Sequence, residues 1–191
     1  MLAAITSRYD NFGNYNLKPR DYDLLNEDTS VKAVVNWFGP TDMLYTYNNS
    51  LSLVAAQKMI SSLFNGKGGF LPASYQFDQS SSKNYVVSNK INIQNLNVLT
   101  LHGNQDEVIP FAQVEAMNDL LNTNGVKSMC KLMDKVKHGF APGTGNALTG
   151  ASIKTKAFDD AYLFFNDTLK GSNTFIATPP GGCPVDINYG I

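Results

Sequence analysis

The sequence predicts an α/β protein built on a mostly parallel sheet with flanking helices. Three short apolar runs, each closed by turn residues, have the make-up of strands buried on both faces. Two further stretches repeat apolar residues at helical spacing. The resulting order, strand, helix, strand, helix, is what right-handed crossovers in a parallel sheet produce. At 191 residues the chain falls in the range of one domain with a sizeable core.

Taken in order, the opening MLAAITSRYDNFGN reads as the end of an amphipathic helix running into a loop. It lacks the basic-then-apolar layout of a secretory leader. The first strand is VKAVVNWFG, residues 31–39. The second, NVLTLHG at 97–103, follows almost sixty residues later, too many for a simple connection. Residues 40–96 are therefore expected to form a lid-like insertion, with a helix over about 51–64 followed by NGKGGF and the polar DQSSSKN. After the second strand, Pro110 suits the first turn of a helix whose face carries Phe111, Val114, Met117 and Leu121. Asn124-Gly125 suits its C-terminal cap. The third strand is KSMCKLMDKV, 127–136. A last helix spans about 152–170, with Ile153, Ala157, Phe158, Ala161, Phe164, Phe165 and Leu169 at helical spacing. Residues 172–191, rich in Gly and Pro, read as a surface-running tail.

Composition narrows the function classes. Fifteen basic residues stand against sixteen acidic ones, with no long run of either. That balance gives no electrostatic reason to expect nucleic acid as a partner, and no apolar stretch approaches the ~20 residues of a membrane span. Two histidines and two cysteines, at spacings that fit no ligand motif, argue against a metal. Cys130, inside an apolar run, reads as a buried thiol; a disulfide to Cys183 in PPGGCPVD is left open. Asn48 and Asn166 fit the glycosylation pattern but do not decide a compartment.

The chemistry concentrates at the strand ends. In parallel sheets ligands bind beyond the C-terminal ends of the strands. Asp106 follows the second strand by three residues, and His138, in VKHGF, follows the third. Singly, an Asp before a helix usually caps it, and a histidine beside a Gly usually packs. Together, on the exit loops of neighbouring strands, they supply two of the three parts of a nucleophilic triad. The carboxylate fixes the imidazole's tautomer and steadies its positive charge. That reading puts the Asp106 carboxylate about 3 Å from a His138 ring nitrogen. His102, at the strand end itself, reads as a residue that holds the loop.

LHGNQDEVIP followed some thirty residues later by HGF resembles the acid and histidine motifs of α/β-hydrolases. VKAVVNWFGPTDM narrows the resemblance to the acetyl-esterase and feruloyl-esterase-like branch. The likeness covers roughly residues 1–170. It implies Asp106 as triad acid, His138 as triad base, and a small-molecule ester as substrate, with no cofactor. It also implies that Trp37, as a substrate contact, and Asp42 lie near the mouth of the site. From the residues alone Trp37 reads equally as core packing and Asp42 as a helix cap.

The family's Gly-x-Ser-x-Gly nucleophile elbow and its His-Gly-Gly oxyanion segment are missing from these residues. MLAAITS resembles the helix that directly follows the elbow. The expectation is therefore a C-terminal part of an α/β-hydrolase fold: a partial domain over 1–171 and a tail over 172–191, with the nucleophile upstream of Met1. A prolyl-oligopeptidase-type peptidase fragment and a non-catalytic hydrolase-like binding protein are the alternatives. No protein partner is specified.

Overall fold

The computed structural model describes residues 31–65, 74–88, 93–172 and 174–191. The opening MLAAITSRYDNFGN and residues 66–70 of NGKGGF lie outside them.

Apolar and β-branched residues build β1 (Ala33–Trp37) and β2 (Asn97–Gly103). Between them the insertion is helical: α1 (Met43–Asn49), α2 (Leu53–Asn65), α3 (Ser74–Ser80) and the single turn α4 (Lys83–Val86). Then follow α5 (Ala112–Thr123), β3 (Lys127–Met133), α6 (Gly150–Lys170) and β4 (Val185–Asp186). Among the described residues the strands form one parallel sheet in the order β1-β2-β3-β4.

Alternation along the strands divides the core into two faces. Leu99 and Leu101 of β2 join Met133, Ile153, Ala157 and Phe164 under α6. Val98 turns the other way, to Met117, Leu121 and Val126 under α5. Each such side chain contributes about 1.5–3 kcal/mol on burial. A one-residue slip would expose the whole set, so register is fixed, with Leu99 opposite Met129 and Val98 opposite Ser128.

The helices end where local chemistry stops them. Thr149 Oγ1 accepts the Ser152 amide at 3.2 Å to cap α6, and Gly171 closes it in the left-handed region at φ 81°. Gly125, at φ 84°, follows α5 as expected. Phe158 and Leu169, assigned to the buried face of α6 by spacing, are instead 56% and 61% exposed. Among the described residues the buried stripe of α6 is confined to Ile153, Ala157, Ala161 and Phe164.

Two expectations are corrected. The tail does not simply cross the surface. Leu132 donates its amide to Pro184 O at 2.9 Å, β4 extends the sheet, and Phe175 and Tyr189 enter the core under α6. Nor does Cys130 carry a free thiol, because it is joined to Cys183 by a disulfide. Both corrections share one cause. The pairing of β4 with β3 is non-local, and it places Cys183 beside Cys130 across a sequence separation of 53.

Candidate active site

β2 and β3 are adjacent and parallel, so their exit loops rise side by side from the same edge of the sheet. The approach is tight. A Cβ on Gly103 would overlap the carbonyl oxygen of Val136, which explains the glycine of the His-Gly pair at the end of β2. The Gln105 amide donates to Val136 O at 3.0 Å. Asn104 takes the Lys135 amide on its Oδ1 at 2.7 Å and donates to Asp134 Oδ1 at 3.1 Å. The two loops are thus stitched together before either reactive side chain is placed.

Asp106 is buried, and its carboxylate is divided between two tasks. Oδ1 accepts the amides of Val108 at 2.8 Å and Ile109 at 2.9 Å, the turn geometry expected of an Asp before a helix. Oδ2 lies 2.9 Å from His138 Nδ1. A carboxylate can only accept, so the proton of this bond resides on Nδ1 and leaves Nε2 with its lone pair. The His138 side chain is 38% exposed, and no hydrogen-bond partner of Nε2 lies among the described residues. Such an imidazole can take a proton at Nε2 while the carboxylate steadies the resulting charge.

Strained backbone surrounds the pair. Phe38, Lys135 and Phe140 have φ of 53°, 52° and 67°, although none is glycine. Left-handed conformations cost such residues of order 1–3 kcal/mol each and recur at functional sites. Here they turn Phe38 off the end of β1 so that its ring meets His138 edge-on at 5.6 Å and Phe140 at 4.8 Å. Phe38 therefore forms an apolar wall of the imidazole, with Phe140 packed against Phe38. Sequence reasoning did not single them out, because a phenylalanine carries no mark of a left-handed backbone.

Trp37 packs edge-on against Phe140 at 5.7 Å and Phe158 at 4.8 Å, and its Nε1 is buried with no hydrogen-bond partner among the described residues. Asp42 caps α1 by accepting the Tyr45 amide at 2.9 Å and pairs with Lys83. The insertion is tied to the acid loop, since Glu107 O accepts both Ser50 Oγ at 2.8 Å and the Ser52 amide at 2.7 Å. Lys137, next to the histidine, pairs with the Glu107 carboxylate at 3.0 Å. A cavity of about 450 Å³ opens there, with Leu51, Glu107, Phe111 and Lys137 in its wall; His138 does not line it. Among the described residues no group of His, Cys, Asp and Glu could hold a metal ion. No described helix is long and apolar enough to cross a membrane.

The BD-FAE family model matches residues 1–121. The chain belongs to the BD-FAE family. This is an α/β-hydrolase-type esterase family, and the parallel sheet with helices on both faces agrees with it. Among solved structures, this BD-FAE chain is similar to a Mycobacterium tuberculosis puromycin-hydrolyzing peptidase. Identity is 17% and the TM-score 0.54, with 84% of this chain and 21% of that chain covered. A truncated carbohydrate esterase from gut microbiota aligns at 24% identity and TM-score 0.45, over 72% of this chain and 45% of that one. A bifunctional GH43-CE protein of Bacteroides eggerthii aligns at 21% and 0.43, over 84% and 21%. The chain thus spans about a fifth of the length of the peptidase and less than half that of the gut esterase. Among curated proteins none matches.

Proposed function

We propose that this chain carries the acid and the base of a serine carboxylic-ester hydrolase acting through an acyl-enzyme on a small acyl or aryl ester. The observation that carries the reading is the 2.9 Å contact of Asp106 Oδ2 with His138 Nδ1, with Oδ1 pinned by two backbone amides. In this reading His138 Nε2 takes the proton of a serine hydroxyl as its oxygen attacks the ester carbonyl carbon. Nε2 then returns that proton to the departing alkoxide. Water repeats the sequence on the acyl-enzyme, and Asp106 stays ionised throughout. We place the serine outside these residues, N-terminal to Met1, because none of their serines lies in a Gly-x-Ser-x-Gly elbow. On the same reading residues 1–171 form the C-terminal part of one hydrolase domain, with 40–96 as its insertion. Trp37, packed edge-on against Phe140 and Phe158, is proposed as a substrate contact at the mouth of the site.

Loss of a nucleophile costs about a million-fold in turnover in enzymes of this type. The 191-residue chain should therefore hydrolyse a short-chain aryl ester no faster than background. Supplying the missing half, fused or co-expressed, should restore turnover, and His138→Ala should remove it again. Robust turnover by the chain alone, lost on changing one of its serines, would mean that the nucleophile is misplaced here. Activity in the completed protein that survives His138→Ala would remove the base from His138. Faster cleavage of a prolyl amide than of the ester would move the reaction to the peptidase class.

A further inference from the structure

Two histidines approach the Asp106 carboxylate, and only one has a part in the chemistry above. His102 is fully buried, with its Nε2 2.8 Å from Ile109 O and 3.3 Å from Asp106 Oδ2. Its Nδ1 is buried without any hydrogen-bond partner among the described residues. These distances select one protonation state. With the proton on Nδ1, the Nε2 lone pair would face a carbonyl oxygen and a carboxylate oxygen at close range, a repulsive arrangement. With protons on both nitrogens, a buried cation would carry an N–H that nothing accepts, which costs more than a neutral group left unpaired. The neutral ring with its proton on Nε2 remains. Its lone pair on Nδ1 is the lesser loss. Burial holds the His102 pKa below its usual value even though Asp106 pulls the other way, and His138 adds to the lowering.

We propose that His102 is a positioning residue, a neutral donor that closes the acid loop through Ile109 O and leaves the negative charge of Asp106 to His138. The inference rests on the reading of Asp106 and His138 as acid and base. The closing bond spans the whole turn from the end of β2 to Pro110. It fixes the Ile109 peptide whose amide pins Asp106 Oδ1 at 2.9 Å, and that contact aims Oδ2 at His138. A cationic His102 would instead compete with His138 for Oδ2. Neutrality at one histidine is what keeps the carboxylate available to the other. The ring of Phe38 packs against both imidazoles, 5.5 Å from His102 and 5.6 Å from His138.

The chain holds only these two histidines, so selective ¹⁵N-histidine labelling gives a spectrum of two rings. The measurement is made on the 191-residue chain, in solution or, for sedimented protein, in the solid state. His102 should show one protonated nitrogen, Nε2, while His138 shows a low-field Nδ1 proton held by Asp106. His102→Phe keeps the ring and removes the donor. It should abolish that low-field resonance, because the Ile109 peptide that pins Asp106 is no longer held. His102→Gln, which retains an N–H donor, should restore much of it. A His102 doubly protonated at neutral pH would overturn the proposal, and this is read on the unaltered chain even if neither variant folds. An unchanged His138 resonance in folded His102→Phe would overturn it too. No hydrolysis enters the readout. A completed protein that fails to cleave esters therefore bears on the catalytic reading, while these spectra bear on His102.

Discussion

Gly103 sits where the loops carrying Asp106 and His138 come closest, and there a single methyl group decides the spacing. Gly103→Ala would drive a Cβ into the Val136 carbonyl, backbone that cannot swing aside as a side chain can. Overpacking of this kind costs about 1–3 kcal/mol. The variant should melt earlier and lose the His138–Asp106 contact, seen as loss of the low-field histidine proton; a variant that keeps both would show that the loops can part freely. His102 makes a second prediction. Its folded pKa lies below the usual 6.5 because of burial. Below about pH 6.5 the unfolded chain therefore takes up a proton that the folded chain refuses, and stability falls as pH falls. Denaturant midpoints between pH 7.5 and 5.5 should drop in the parent and drop less in His102→Gln. Equal slopes in the two proteins would place the pH dependence elsewhere.

Among elements, the tail changes most between sequence and structure. β4 contributes two residues to the sheet, too few to hold by ladder bonds alone. Side chains fasten the rest. Tyr189 donates its hydroxyl to Asp160 Oδ2 at 2.7 Å, Lys131 reaches Asp160 Oδ1 at 3.0 Å, and Thr178 Oγ1 takes the Cys130 amide at 3.1 Å. Asn146 Nδ2 bridges Tyr189 O and Lys135 O, both at 2.9 Å, which links the tail to the turn that leads into His138. The Cys130–Cys183 disulfide closes this region covalently. Removing a bridge of this loop length costs about 2–4 kcal/mol. Reduction, or Cys130→Ala with Cys183→Ala, should lower the denaturant midpoint accordingly, and thiol titration should find no reactive thiol until reductant is added. A native protein with two titratable thiols, or an unchanged midpoint on reduction, would contradict the bond.

For the whole molecule the asymmetry of the sheet dominates. β1 ends the order β1-β2-β3-β4 and has no neighbour on its outer side among the described residues. Near it, on α6, Phe158, Tyr162 and Leu163 are 56–67% exposed. An unpaired strand beside apolar surface is a template for pairing with other chains. The 191-residue chain should therefore sediment as an associated species. A monomer with a sharp calorimetric transition would contradict this.

Strand and helix identities were legible in the sequence because each follows from local pattern: β2 from an unbroken apolar run, α5 from its spacing between Pro110 and Gly125, α6 from its apolar residues at helical spacing. Asp106 and His138 could be nominated together because each follows its own strand at short range. The sequence could not decide that these strands are neighbours, that Gly103 lets their loops touch, or that Phe38 takes a left-handed backbone to wall the imidazole. Nor could it decide the pairing of Cys183 with Cys130, or the return of a Gly- and Pro-rich tail to the sheet edge. Those features depend on contacts between residues far apart in the chain. Local propensity carries no information about such contacts, and burial of both sheet faces selects them only once the chain has closed.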